Sequence, residues 1–475
     1  MANENKLQAI ISHCKEYGFV FPSSEIYDGL GAVYDYGQNG AELKKNIKDY
    51  WWKSMTQLHD YIVGIDAAIF MHPTTWKASG HVDNFSDPMI DNKDSKKRYR
   101  VDHLIEAYAE QLAPDASAAL LQSMEQLIAA DDFAGLKNLI ETNKIKCSVS
   151  GTCNWTDVRQ FNLMFGTQLG SVAEESSEIY LRPETAQGIF VNFLNVQKTG
   201  RMKIPFGIAQ TGKAFRNEIV ARGFIFRMRE FEQMEMQFFV RPGTQQEWYQ
   251  YWKEARMQWH LSLGISPDKY RFHDHVKLAH YADAACDIEY DFPMGFKELE
   301  GIHSRTDFDL KNHQQFSGKK LTYFDTELNQ HYIPYVVETS IGLDRTFLML
   351  LSEAYQEEDL STEEKQDVRV VLKLPAMLAP YKLAILPLLK KDGLPEIAKE
   401  LMAECRGSFK CFYEEKDAIG KRYRRMDAIG TPFCVTIDHQ TKEDGTVTIR
   451  HRDSMLQERV ALKDIKQIVL NAVQY

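Results

Sequence analysis

The chain has 475 residues, 44% of them hydrophobic and 26% charged, with a formal net charge of −10. That length corresponds to about three domains, and the composition excludes both low-complexity disorder and a disulfide-stapled mini-protein. No apolar run approaches the roughly 18 residues that a membrane span needs, and seven cysteines at uneven spacing suit a reducing compartment.

The N-terminal MANENKLQAI lacks the charged-then-apolar pattern of a secretory signal, so a cytoplasmic location is expected. Leu43, Ile47, Tyr50, Trp51, Met55 and Leu58 recur at helical spacing and predict an amphipathic helix over 41–59. Residues 61–71 then read as a buried strand closed by Pro73. Between Leu104 and Asn143, alanine-rich stretches, one starting at Pro114, predict an inserted helical region. From 177 to 340 the pattern is strand-rich, with runs at 231–240 and 332–337, and helices are predicted over 185–197 and 247–263. A helix over 342–355 leads into the acidic stretch 357–367, expected to be a linker. Beyond it, strands and helices alternate (383–387, 397–405, 409–413, 433–437 and 464–473), as in a compact α/β module. The expected fold is α+β: a mainly antiparallel sheet body over 1–365 with a mostly helical insertion at about 90–160, then an α/β domain over 366–475. The body is acidic and the tail carries a basic excess, a weak pointer to a polyanion at the C-terminal end.

The densest chemical feature is Phe215-Arg216-Asn217-Glu218, a loop through Arg222 and Gly223, and then Arg227-Met228-Arg229-Glu230-Phe231. Read as a hairpin, it would present Arg216, Glu218, Arg227 and Phe231 on one face. Arginine offers a planar fork to phosphate, and phenylalanine a ring on which a base can stack. The competing reading is a charged surface hairpin whose arginines pair with Glu218 and Glu230. A second element, Glu338-Thr339-Ser340-Ile341-Gly342-Leu343-Asp344-Arg345, closes a strand and opens a helix. Arg345 in the first helical turn opposes the helix dipole, a cost that a ligand would repay; the alternative is a snorkelling side chain.

In this order, these residues resemble the motifs of class II aminoacyl-tRNA synthetases, and nearly the whole chain is similar to the dimeric glycyl branch of that family. The helix over 41–59 with Pro73 matches the first motif, 215–231 the second and 342–345 the third. Segments 31–37, 77–81, 97–103, 161–165, 180–188 and 301–310 match glycyl-specific stretches, and 379–382 with 427–433 match an anticodon-binding domain. The resemblance implies a ligase that uses ATP and Mg²⁺ to activate glycine and then transfers it to tRNA, working as a cytoplasmic homodimer. It places Arg216 at the α-phosphate, Arg227 at the γ-phosphate, and Phe231 and Arg345 on either side of the adenine. Asn217, Glu218, Phe226, Met228, Arg229, Glu230, Leu299, Gly342, Leu343 and Asp344 fall at further ATP positions, and Glu298 at an ATP and magnesium position. Arg100 falls at a glycine-carboxylate position. Glu184, Glu235 and Glu338 would surround the glycine ammonium, and Phe231, Glu232, Gln233, Met234, Thr339, Ser340, Ile341 and Gly342 fall at neighbouring glycine positions. Taken singly, Glu184 also reads as a helix N-terminal acid and Glu235 as a strand-face charge.

Two departures stand out. Gln38 and Asn39 follow Gly37 where relatives often have proline, and Cys147 and Cys153 lack the Cys-x-x-Cys spacing of a structural zinc site, so no zinc is expected. The alternative function is a synthetase-like binding protein without aminoacylation, which would be expected to have lost the arginines or glutamates present here. No Gly-x-Gly-x-x-Gly follows a strand, which disfavours a Rossmann enzyme. No histidine stands out as the proton acceptor for transfer.

Overall fold

The computed structural model describes residues 2–170, 177–219, 223–276, 278, 281–364 and 366–474. Arg222, part of the predicted hairpin loop, lies outside the described residues. The centre is a seven-stranded sheet. In chain order its strands are β1 (Ile62–Gly64), β2 (Phe206–Phe215), β3 (Glu230–Val240), β4 (Tyr270–Asp274), β5 (Ala284–Phe292), β6 (Gly295–Thr306) and β7 (Tyr335–Gly342). In space they run β4-β5-β6-β7-β3-β2-β1, antiparallel throughout except for β1 beside β2. The predicted strand over 61–71 is thus much shorter, and its Gly64 leaves room for the Trp52 ring, which a Cβ would meet at 2.2 Å.

Alternation along β3 sets the two faces of this sheet. Met234, Met236, Phe238 and Val240 point to one face and are buried. They join a core built with helices α1 (Gln38–Thr56), α3 (Gln245–Leu261) and α4 (Leu343–Ala354). On the other face Gln233, Glu235 and Gln237 are buried too, and the apolar members are Phe231 at its start and, at its end, the buried Phe239. That phenylalanine packs with Phe190 and Phe193 of helix α2 (Ala186–Thr199). One end of this face is therefore sealed by aromatic packing, and the rest is a buried polar layer.

Residues 90–158 form a separate small core from three helices and the strands Ser86–Asp91, Arg98–Arg100 and Arg159–Asn162. Pro114 opens the middle helix, where its missing N–H costs nothing. In the C-terminal region five strands order as Cys411–Tyr413, Leu383–Pro387, Phe433–Ile437, Thr446–His451 and Gln457–Ala461. The first three are parallel and the last two antiparallel.

The expected linker is not free. Tyr355–Asp359 pairs antiparallel with Val368–Leu372, so most of the acidic stretch is folded back as a strand pair and its turn. Leu372, Leu374, Leu378, Met426 and Cys434 belong to the same apolar cluster as β3 and α4. Asn46 of α1 donates to the carbonyls of Leu378 and Ala379 at 3.0 and 3.1 Å. The tail is therefore packed on the body. Glutamates at 357, 358, 363 and 364 suggested solvation, but strand pairing needs only backbone groups and tolerates charge on its outer face.

Tyr50, Trp51 and Trp52 do not supply a spare apolar face. Trp51 is fully buried, Tyr50 is buried, and Trp52 packs against the core. The exposed apolar side chains nearby are Leu58, Tyr61 and Tyr251. They border a groove of about 340 Å³ with Trp248 and Trp252.

Candidate active site

The polar layer is built in register. Glu235 lies opposite Gln210 of β2 and Ser340 of β7, and Gln237 opposite Glu338. Glu338 in turn faces His303 of β6, and Ser340 faces Gly301. A side chain at Gly301 would place its Cβ 2.9 Å from the His303 ring, so glycine is what lets that imidazole lie over the strand. Glu184 enters from the turn before α2, where its carboxylate accepts from Gln187 at 2.9 Å and lies 3.5 Å from His81. The three glutamates are thus brought together at the rim of one sheet face.

Their surroundings are unequal. Arg305 donates to Glu338 at 2.9 Å and to Asp309 at 2.8 Å, and His303 lies 2.7 Å from Glu338. Burial opposes ionisation of Glu338, but Arg305 and His303 outweigh it and bring its carboxyl down to about 2. Burial likewise opposes ionisation of Glu184, yet the His81 charge and hydrogen bond and Arg305 hold it well below the carboxylate range. Glu235 is 1% exposed and has only neutral donors, Thr185 Oγ1 and Gln237 Nε2. Among the described residues no cation touches it. Burial first, then the charges of Glu338 and Glu184, push its pKa well up. A buried carboxylate in that state calls for a cation from outside.

The second motif is a hairpin with a long, irregular tip. Its paired strands end at Phe215 and Glu230, so Arg216, Glu218 and Arg227 lie beyond the ladder and strand alternation does not orient them. Backbone bonds do so instead: Arg216 N–H donates to Arg229 O at 2.9 Å, and Asn217 N–H to Leu163 O at 2.8 Å. Arg216 Nε donates to Pro183 O at 3.0 Å, and its guanidinium lies 5.3 Å from the Phe231 ring centroid. Glu230 pairs with Lys213, and among the described residues with none of the arginines. Among the described residues Arg227 has no ion-pair partner. Arg229 is structural, donating to Glu218 O and Gly31 O.

Arg345 stacks on Phe226 at 4.4 Å and contacts Glu298 Oε2 at 3.1 Å. That pairing comes first among the causes that lower the Glu298 pKa, and Arg216 adds to it. Arg345 and Arg216 thus both bear on one carboxylate, Glu298. Among the described residues no group of three or more carboxylate, histidine or cysteine side chains is arranged to hold a metal. Glu298 alone fits a Mg²⁺ that keeps its waters and is bound mainly by substrate phosphates. Cys147 has its own surroundings: burial pushes the thiol up, but Ser150, Ser95 and Tyr99 outweigh it and bring it to about 6.

Several predicted side chains point elsewhere. Met234 and Ile341 lie on the opposite sheet face in the apolar core, and Thr339 is buried on that face too. Leu299, Leu343 and Met228 are likewise core residues. Strand alternation for the first four, and burial for Leu343 and Met228, leaves only backbone groups with which to border a ligand. Glu232 pairs with Lys44 and Lys48, and Asp344 with Lys44. Arg100 is held by Asp87 at 3.1 Å and Asp102 at 2.5 Å, on the insertion side. Gln233 does face the polar layer, bonding Ser340 Oγ at 3.3 Å and the Thr185 amide at 3.2 Å. Arg305, His303, His81, Gln187, Gln237 and Thr185 had been given no individual role. Five of the six, all but Gln237, lie inside matched segments, and the cross-strand register that sets His303 opposite Glu338 is what gives it a part in the site.

The basic run at 421–425 is mostly engaged within the protein. Arg422 is 1% exposed and donates to the carbonyls of Pro387, Glu414 and Leu388. Arg424 pairs with Asp367, and Arg425 with Glu414 and Asp417. Lys421 is the exposed member.

Three family models match the chain. The class II tRNA synthetase core domain (G, H, P, S and T) covers residues 168–354, the glycyl-tRNA synthetase insertion domain 1 covers 87–119 and 113–163, and the anticodon binding domain covers 382–472. The antiparallel strands between Phe206 and Gly342 thus belong to a class II tRNA synthetase core. Similarity to whole proteins narrows this further. The chain is 55% identical to the glycine–tRNA ligase of Chlorobaculum tepidum, over 96% of this chain and 97% of that protein. It is 52% identical to the glycine–tRNA ligases of Treponema denticola (96% and 94%) and Borreliella burgdorferi strain B31 (98% of each). The chain belongs to the glycine–tRNA ligase family.

Proposed function

We propose that this chain is a glycine–tRNA ligase that first joins glycine to ATP and then passes the glycyl group to tRNA(Gly). The observation that carries the glycine end is Glu235, a buried carboxylate with two neutral donors and, among the described residues, no cation in contact. Glycine has no side chain to grasp, so its ammonium is the handle, and Glu235 with Glu184 and Glu338 supplies the matching charge. Every competing amino acid is larger and can be turned away by the crowded layer around Ser340, so no separate proofreading is required.

In the first step the glycine carboxylate attacks the α-phosphorus, a P–O bond forms, and pyrophosphate leaves. Anions are driven together there, so Arg216 at the α-phosphate and Arg227 at the γ-phosphate stabilise the developing charge. Phe231 and Arg345 hold the base, and Glu298 fits the magnesium that travels with ATP. In the second step the terminal hydroxyl of tRNA attacks the glycyl carbonyl and AMP leaves, mainly a matter of positioning. The region 366–475 is assigned to the anticodon, with Lys421 rather than Arg422 among the residues facing phosphate. We place the enzyme in the cytoplasm as a homodimer, with the groove beside Leu58, Tyr61 and Tyr251 at the interface. Sedimentation showing a monomer at micromolar concentration and physiological salt would refute that assembly.

Amino-acid-dependent ATP–pyrophosphate exchange tests the assignment. Glycine alone among the standard amino acids should drive it; exchange with another amino acid, or with none, would overturn it.

A further inference from the structure

One lysine on the helix of the first motif ties all three motifs together. Lys44 lies on α1, with its side chain 12% exposed. Its Nζ is 2.7 Å from Glu232 Oε2 and 2.8 Å from Asp344 Oδ1, and 4.0 Å from the centre of the Tyr36 ring. Asp344 is 2% exposed and is bound from three sides: by Lys44, by the Tyr36 hydroxyl, and by the Glu232 backbone N–H at 2.7 Å. Lys48, one turn further along α1, reaches the other oxygen of Glu232 at 3.0 Å. Two ammonium groups thus face two carboxylates, and the network is neutral as well as closed.

Its placement gives it a consequence. Glu232 is the residue after Phe231 on β3, and Asp344 is the residue before Arg345 at the start of α4. The two chains that carry the aromatic ring and the cation are therefore fastened to each other next to those side chains. Lys44 neutralises the fastening. Without it, Asp344 would keep two hydrogen bonds but face the Glu232 carboxylate with less compensation. Like-charge repulsion across a buried contact would then act to separate β3 from α4. A base held between a ring and a guanidinium requires a fixed gap, and a displacement of the order of 1 Å away from the chemistry can cost about a hundredfold in an enzymatic rate.

We propose that Lys44 is a positioning residue for the nucleotide end of the site, setting the separation of Phe231 and Arg345. This rests on the reading above that those two side chains hold the adenine. Lys44 does not touch the glutamate layer on the opposite face of β3, so its effect belongs to ATP and not to glycine.

The test compares the full-length protein with Lys44→Met, Lys44→Arg and Tyr36→Phe. Equilibrium titration with Mg·ATP reads nucleotide affinity directly, and glycine-dependent exchange reads the two KM values. Lys44→Met should weaken ATP binding and raise its KM by about tenfold or more, with the glycine KM within about twofold of the parent. Lys44→Arg, which keeps the charge, should recover most of the loss. If Lys44→Met does not melt cooperatively, Tyr36→Phe decides: it removes one donor to Asp344 without stranding a charge, and should still weaken ATP binding more than glycine use. Parent-like ATP affinity in a folded Lys44→Met or Tyr36→Phe protein would overturn the proposal, as would an equal loss for both substrates. Because ATP affinity is measured without an amino acid, failure of the glycine assignment would appear separately, in the parent's exchange.

Discussion

Two buried charge systems in this chain are similar in composition and opposite in balance. In the C-terminal region Asp427, fully buried, is bound by Arg369 at 2.8 Å and by Arg450 at 2.8 and 2.9 Å, and Arg369 also reaches Glu358. Each acceptor there meets a donor, and the cluster pins the Val368–Leu372 strand to the helix Ile419–Ala428 and the strand Thr446–His451. In the central sheet, among the described residues, Glu338 and Asp309 share Arg305, Glu184 has His81 and Glu338 also has His303, while no cation bonds Glu235. A buried ion pair that closes on itself holds structure; one that is left short of positive charge is arranged for something that arrives later. Arginine content alone would not have separated them, since the 421–425 run looks more like a ligand site than β3 does.

The difference can be broken from either side. The largest effect should come from Asp427→Ala, which strands two buried guanidinium groups and should cost about 3–5 kcal/mol of stability. Chemical denaturation should record that loss, while the glycine KM of the protein folded at low temperature stays near the parent's. A loss of glycine affinity without a loss of stability would place Asp427 in the wrong class. Next, Arg216→Ala should lower the exchange rate by about 10²–10³ with little change in denaturation midpoint, because its contacts are one carbonyl and two rings.

A smaller effect concerns pH. Glu235 has a folded pKa raised above its ordinary value of 4.5, by burial and by Glu338 and Glu184. Above that value the native state holds a proton that the unfolded chain has released, so Glu235 lowers stability progressively as pH rises through the window up to its folded pKa. Glu338 and Glu184 act in the opposite sense: their depressed values contribute stability above 4.5 that is lost as pH falls through those lowered values. Glu235→Gln should therefore flatten the fall in melting temperature as pH rises above 4.5, and leave the acid side unchanged. Parallel parent and variant curves across that range would show that Glu235 is not the strained member.

The motifs, the antiparallel sheet and the helices over 41–59, 247–263 and 342–355 were legible because each combines a clear period with marked residue types. Strands Leu383–Pro387 and Phe433–Ile437 fell where their apolar runs placed them. Less legible was whatever depends on contacts across the chain. The acidic stretch after residue 355 hides a strand whose partner begins at Val368, and acidity carries no record of backbone pairing. Family position placed Met234, Ile341 and Leu343 near ligands, whereas alternation and helical phase turn their side chains into the core. His303 and Lys44 went unnoticed for the same reason: each is an isolated polar residue in sequence, and only the register between β6 and β7, or the packing of α1 on α4, gives it a partner. The spent aromatic face of α1 is the converse case, since Tyr50, Trp51 and Trp52 are absorbed by packing that no periodicity could count.

The central claim is that Glu235 waits for the glycine ammonium, and Glu235→Gln tests it most directly. The substitution keeps the hydrogen bonds to Thr185 and Gln237 within reach and removes only the negative charge. Glycine-dependent exchange should show the glycine KM raised by about tenfold or more, the size expected for losing one buried charge pair, with the ATP KM within about twofold. An equal rise for both substrates, or no rise for glycine in a folded variant, would contradict the account.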